Sequence, residues 1–251
     1  MRLPLARRAR LLGRRAGLDV RRWREVAGYD LAPFRGRVRL LQQLEASVAL
    51  DVGANRGQWA LALRSAGFGG PIVSFEPLRE PFTAIEARCA TDPGWEVHHL
   101  ALADADGQLE MNVALDSAGS SVLGVSSRMI NAIPAMSAVG RETVPSRRLD
   151  SIALPGGPYF LKIDVQGFER WVLDGAAGIL AQVPGAELEL SFHHLYDGDA
   201  TIREMLDLMH DRGYELLTVI PGILDPTHDL PLQVDGIFVR RELSAVSLES
   251  G

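Results

Sequence analysis

Cysteine is almost absent from the chain: Cys89 is the only one in 251 residues. An internal disulfide is therefore excluded, which fits a reducing compartment and a cytoplasmic protein. Lysine is as scarce, with Lys162 alone among 26 basic residues. No uninterrupted apolar run approaches the roughly 18 residues of a membrane-spanning helix. Arg2, Arg7, Arg8 and Arg10 open the chain, but no clean apolar core and small-residue cleavage site follow, so a secretory signal is not expected. A Gly-Lys-Ser/Thr phosphate loop is missing. So is the Tyr-x-x-x-Lys pair of short-chain dehydrogenases, because the tyrosine would have to stand where Pro158 is. Metal-ligand spacing of His, Asp and Glu is absent too, and no metal site is expected.

What is present is divided unevenly. Residues 1 to 40 hold twelve arginines against Asp19, Glu25 and Asp30, a balance of +9; the whole chain is −6, leaving −15 on residues 41 to 251. The first reading is a solvated basic helix pair packed on an acidic domain. A membrane surface or another anionic partner is the second use of that charge. Nucleic acid is not expected, since the acidic remainder has no aromatic platform interleaved with basic residues.

The chain reads as a basic helical extension over 1–45, a main domain over 46–242 and a flexible tail over 243–251. In the extension, Leu11, Leu12, Val20, Trp23, Val26 and Leu31 lie among the arginines, Pro33 makes a break, and Leu40, Leu41 and Leu44 form a stripe that would lid one face of a sheet. From Val48 onward, short apolar runs alternate with helical patterns. Strands are predicted at Val48–Val52, Ile72–Phe75, Trp95–Leu102, Tyr159–Val165 and Ala186–Phe192, and helices at Trp59–Ala66, Phe82–Cys89, Glu169–Leu180 and Thr201–Arg212. That alternation predicts an α/β fold with a mostly parallel, Rossmann-like sheet. Tyr214–Ile220 and Asp235–Arg240 have no helix between them and predict an antiparallel pair at the edge. Residues 104–150 interrupt the alternation and read as an insertion over the active-site edge, a β-hairpin base with a mobile middle from Ser117 to Val139.

In such a sheet, ligands bind beyond the carboxyl ends of the strands. The acids leaving those ends are Asp51, Glu76, Asp104 and Asp164, which together repel a phosphate-rich ligand. The loop Gly53-Ala54-Asn55-Arg56-Gly57 agrees: Asn55 replaces the middle glycine of a dinucleotide fingerprint and the spacing is one residue short. A phosphate-free, cationic, adenosine-like ligand such as S-adenosylmethionine fits better. Glu76, 25 residues after Asp51, is placed to accept ribose hydroxyls.

Four ordered motifs carry a family resemblance over about residues 46 to 240: Asp51-Val52-Gly53-Ala54-Asn55-Arg56-Gly57, Ser74-Phe75-Glu76-Pro77, Leu161-Lys162-Ile163-Asp164-Val165-Gln166-Gly167-Phe168-Glu169, and Gln233-Val234-Asp235-Gly236-Ile237-Phe238-Val239. They resemble the FkbM-type methyltransferases. The resemblance implies the class I methyltransferase fold, S-adenosylmethionine as donor, and O-methylation of a hydroxyl on a sugar, glycolipid or other secondary metabolite. By motif it places Asp51, Gly53, Ala54, Asn55, Gly57, Glu76 and Pro77 at the cofactor, with Asp164, Gln166 and Glu169 facing cofactor and acceptor. A homo-oligomer is compatible with it. A non-catalytic S-adenosylmethionine-binding module and, behind it, a nicotinamide-dependent oxidoreductase are the alternatives.

For proton removal from an acceptor hydroxyl, Asp164 at a strand end and His193 or His194 after the fifth strand are the candidate bases. Asp164 equally suits a purely cofactor-positioning role. Glu169 opens a helix, where the dipole favours a carboxylate regardless of function. Ser120 and Ser121 in the insertion are candidate contacts to cofactor or acceptor. His98 and His99 read as structural, and Lys162 as an edge or snorkelling residue without catalytic use.

Overall fold

The computed structural model describes residues 32–243. Its first element is α1 (Ala32–Gln43), followed by β1 (Val48–Val52), α2 (Gln58–Ser65), β2 (Ile72–Phe75), α3 (Arg79–Cys89) and β3 (Trp95–His98). The short strand β4 (Ala101–Leu102), then β5 (Gly107–Ala114), α4 (Ser127–Ala132) and β6 (Ala138–Arg147) come next. The chain closes with β7 (Tyr159–Ile163), α5 (Glu169–Gly175), β8 (Gly185–Ser191), α6 (Ile202–Asp211), β9 (Tyr214–Pro221) and β10 (Gln233–Arg240).

The main sheet has the order β3-β2-β1-β7-β8-β10-β9. The first five are parallel; β10 runs antiparallel to β8, and β9 to β10. This is the mostly parallel sheet with an antiparallel edge expected from the sequence, and β1 and β7 meet where the strand order reverses. Connections leave β1 in opposite directions there, so the carboxyl ends of β1 and β7 open a crevice.

Side chains on a strand alternate between faces. Val48, Leu50, Val52, Leu161, Ile163, Leu188, Leu190, Val234 and Phe238 join one apolar layer with α5 and α6. Ala49, Phe160 and Val239 join the opposite layer, with α1 and α2. The alternation places Asp51, Lys162, Glu187, Glu189 and Asp235 on that second side. Leu41 of α1 and Leu44 just beyond it are buried there, as the stripe predicts, and Arg37 of α1 forks onto Glu187 with bonds of 2.6 and 2.5 Å. Pro33 lies within the first turn of α1, where a missing N–H costs nothing, rather than at a break.

Two sequence expectations fail. The run Trp95–Leu102 is not one strand: β3 ends at His98, and Ala101–Leu102 pairs instead with β6 in a separate three-stranded sheet, β4-β6-β5. The middle of the insertion is not bare loop but α4 and two 3-10 turns. Met129 and Met136 from this segment pack with Leu195, Tyr196 and Leu232, so apolar burial holds it in place. The basic stretch 1–31 and the tail from 244 lie outside the described residues. Among those described, no helix is long and apolar enough to cross a membrane.

Candidate active site

The glycine loop between β1 and α2 turns through the left-handed region at Gly53 (φ 71°), Asn55 (φ 48°) and Gly57 (φ 78°). At Gly53 a Cβ would stand 1.8 Å from the carbonyl oxygen of Asp164, so only glycine lets the β1 and β7 loops approach. A Cβ at Gly57 would meet the Trp95 ring at 2.7 Å. Asn is among the residues that enter the left-handed region most readily, and here the Asn55 Nδ2 donates to Ser117 Oγ at 3.3 Å, tying the loop to the insertion.

Glu76, at the end of β2, fixes the far side of that loop. One carboxylate oxygen accepts the Asn55 N–H and the other the Leu78 N–H, both at 2.8 Å. Burial pushes its carboxyl up to about 8, the two backbone bonds only partly opposing it.

Lys162 corrects the sequence reading. It is neither at an edge nor snorkelling: β7 is central, and its ammonium is buried. Nζ lies 3.1 Å from Asp51 Oδ1 and 3.7 Å from Asp164 Oδ2, and donates to the carbonyls of Val52 (3.2 Å) and Gly53 (3.0 Å). Burial alone would lower its proton affinity, but Asp51 and Asp164 outweigh this and hold it charged. Asp51 is fully buried as the partner of Lys162, with Ser74 Oγ donating to its other oxygen at 3.4 Å. It therefore acts on the glycine loop from behind.

After β7 the chain turns through Gln166 (φ 57°) and Gly167 (φ 95°). Glu169 staples this turn: one oxygen, Oε1, accepts both the Val165 and the Gly167 N–H at 3.1 Å. Burial lifts its carboxyl to about 7. Gln166 is fixed at its backbone carbonyl and at both polar atoms of its side chain. Ser121 Oγ donates to its carbonyl (2.7 Å), Tyr196 OH donates to Oε1 (2.6 Å), and Nε2 donates to Asp164 Oδ1 (2.9 Å) and Glu189 Oε2 (2.7 Å). The Asp164 carboxylate can only accept, so the orientation of this amide is set by it.

These parts enclose a cleft of about 660 Å³, open to solvent. Gly53, Asn55, Glu76, Pro77, Asp164 and Gln166 line it, as does Ser120. Ala54 is buried beneath the loop and Gly57 packs on Trp95, so both shape the turn without facing the cleft. Glu169 and Asp51 are likewise supports behind the wall. Asp104 is displaced: because β3 stops at His98, the strand-end position passes to residues 99 and 100, and Asp104 sits exposed beyond β4. His193 is exposed and outside the cleft lining. His194 is drawn away to Asp199, which accepts its Nδ1 at 2.8 Å and raises its proton affinity. Among the described residues no cluster of His, Cys, Asp or Glu suits a metal.

Sequence reasoning missed the apolar wall of Leu100, Ala101 and Leu102, hidden inside an apparently continuous strand, and of Met111 on β5. It also missed the polar face of β7, β8 and β10, although Glu187-x-Glu189 and Gln233-x-Asp235 alternate visibly with apolar neighbours.

The Methyltransferase FkbM domain matches residues 51–216, well over half of the chain. The chain belongs to the FkbM methyltransferase family. S-adenosylmethionine is the methyl donor of that family. No curated protein matches the sequence. Solved structures similar to it include methyltransferase FkbM from Methylobacillus flagellatus KT, at 16% identity and TM-score 0.49 over 76% of this chain and 44% of that one. Magnesium protoporphyrin IX methyltransferase from Synechocystis PCC 6803, crystallised with S-adenosylmethionine, has 9% identity and TM-score 0.47 over 95% and 98% of the two chains. A 1,6-didemethyltoxoflavin-N1-methyltransferase from Burkholderia thailandensis has 13% identity and TM-score 0.43 over 96% and 93%. The chain thus spans under half the length of the FkbM structure it matches.

The cleft of this FkbM methyltransferase suits such a donor. Its lining carries the acids Glu76 and Asp164 and no basic residue, so it offers a phosphate no counter-charge and a sulfonium or ammonium two acceptor groups. The apolar wall of Leu100, Ala101, Leu102 and Met111 suits an adenine ring.

Proposed function

We propose that the chain is an O-methyltransferase that transfers the methyl group of S-adenosylmethionine to a hydroxyl of a sugar, glycolipid or other secondary metabolite, acting in the cytoplasm. The observation that carries this reading is the cleft lined by Glu76 and Asp164 with no basic residue. Glu76 would hold the ribose hydroxyls, the glycine loop and Asn55 the amino-acid end, and Leu100 to Leu102 the adenine. When bound, the cofactor supplies a methyl carbon activated by a positive sulfur.

The demand left to the protein is alignment of the acceptor oxygen with that carbon and removal of the hydroxyl proton. Asp164 is the group placed for both. Its Oδ1 is oriented by Gln166 and its Oδ2 faces Lys162, while its side chain stays 39% exposed toward the cleft. The Asp164 carboxylate would accept the hydroxyl proton as the acceptor oxygen takes the methyl group.

Transfer of labelled methyl to a panel of hydroxylated acceptors tests the assignment. Asp164→Asn is expected to lower kcat by about 10²–10⁴ while leaving the S-adenosylmethionine affinity within a few-fold of wild type. Turnover at the wild-type rate in that variant would remove Asp164 from the chemistry.

A further inference from the structure

On the α1 side of the sheet, next to Asp164, five carboxyl groups share two cations. Lys162 serves Asp51 and Asp164, at 3.1 and 3.7 Å. Arg37 serves Glu187 at 2.5 Å and stands 3.7 Å from Asp235. Glu189 meets neither. Its Oε2 instead accepts two amide donors, Nε2 of Gln166 and Nε2 of Gln233, each at 2.7 Å, and its Oε1 has no hydrogen-bond partner among the described residues. The charges that bear most strongly on Glu189 are those of Asp164, Glu169 and Asp235, all acidic, and the Tyr196 hydroxyl is spent on Gln166.

A second observation is independent of that acidity. Gln233 is 1% exposed, its Nε2 is fixed on Glu189, and its carbonyl oxygen Oε1 is buried with no donor among the described residues. A buried amide oxygen without a donor costs free energy that an incoming N–H or O–H would recover. Solvent reaches the edge of the cluster, since Asp164, which lines the cleft, and Asp235 keep 39% and 33% of their side chains exposed.

We propose that Glu189, Asp235 and the Gln233 carbonyl form the acceptor subsite beside Asp164, and that it takes a hydroxyl-rich molecule carrying a protonated amine, of the amino-sugar class. The proposal rests on the methyltransferase reading for its placement next to the reacting carbon. Its chemistry follows from the acceptors present: the Gln233 carbonyl and the two carboxyls in their ionised form can only accept, so the ligand must donate, and a cation compensates the charge those carboxylates then carry whereas a phosphate adds to it. Burial holds Glu189 well above the usual carboxylate range and pushes Asp235 up to about 7. A bound ammonium would favour their ionised forms and release protons to solvent.

The experiment titrates the full chain, saturated with S-adenosylhomocysteine, with glucosamine, glucose and glucosamine 6-phosphate by calorimetry at neutral pH, in two buffers of different ionisation enthalpy. Expected is an affinity order of glucosamine, then glucose, then glucosamine 6-phosphate, with proton release for glucosamine only. Glu189→Gln and Asp235→Asn should each weaken glucosamine about tenfold or more, with S-adenosylhomocysteine affinity unchanged; the second variant serves if the first does not fold. Equal or tighter binding of the phosphate ester overturns the subsite, as does unchanged glucosamine affinity in both variants. Binding of S-adenosylhomocysteine with no binding of glucosamine also overturns it, and would point to the arginines of residues 1–31 as the missing counter-charge. Failure to bind S-adenosylhomocysteine at all would instead bring down the methyltransferase reading beneath it.

Discussion

Glu169 places a single oxygen under two backbone N–H groups, so glutamine can replace it without losing either bond, whereas alanine loses both. Glu169→Ala is expected to cost about 1–3 kcal/mol in denaturant unfolding for each N–H left buried and unpaired, and Glu169→Gln far less. The pH dependence separates them further. A carboxyl lifted from its ordinary 4.5 to about 7 binds its proton more tightly folded than unfolded, so its contribution is full below the unfolded value and is lost as pH rises through 7. The melting temperature of the wild type should therefore fall more steeply than that of Glu169→Gln between about pH 5 and pH 8. Lys162→Met strands Asp51 as an unpaired buried charge and should cost about 3–5 kcal/mol, with loss of cofactor affinity because Val52 and Gly53 lose their tether. Glu76 and Asp164 were legible in the sequence because each is an acid directly beyond a short apolar strand. That Asp51 and Glu169 turn away from the cleft was not, because a strand-end or helix-start acid does not reveal which partner claims it.

The docking of α1 is decided by one ion pair set among apolar contacts. Arg37 and Glu187 are each 4% exposed in their side chains, so removing either one leaves a charge the interior cannot solvate. Arg37→Ala should destabilise by about 3–5 kcal/mol, and the double change Arg37→Met with Glu187→Leu by clearly less, as measured by chemical unfolding. A double variant no better than the single would mean that the attraction and packing of the pair itself, rather than a stranded Glu187 charge, account for the loss. Strand ends in the parallel half of the sheet were readable within a residue or two, because each strand is a short run buried on both faces. The break after His98 was not: Trp95 to Leu102 stays largely apolar, and only pairing with β6 divides it. The insertion was readable as two strands, but its middle has short, weakly periodic segments whose order comes from Met129 and Met136 packing on distant residues.

Across the whole molecule, topology followed from the alternation of strand and helix, and the position of the cleft followed from topology. The character of the cleft came from an absence, the missing phosphate fingerprint, taken together with Glu76. What the one-dimensional pattern could not carry was the polar face beside the cleft, assembled from β7, β8 and β10 over more than 70 residues of chain, from Lys162 to Asp235. The account stands on the cleft receiving S-adenosylmethionine. Calorimetric titration of the full chain with S-adenosylmethionine, beside Glu76→Ala, measures this directly. The account predicts one site per chain in the wild type and an affinity lowered about tenfold or more in the variant, for loss of charge-assisted bonds to the ribose. No binding by the wild type, or undiminished binding by Glu76→Ala, would contradict it.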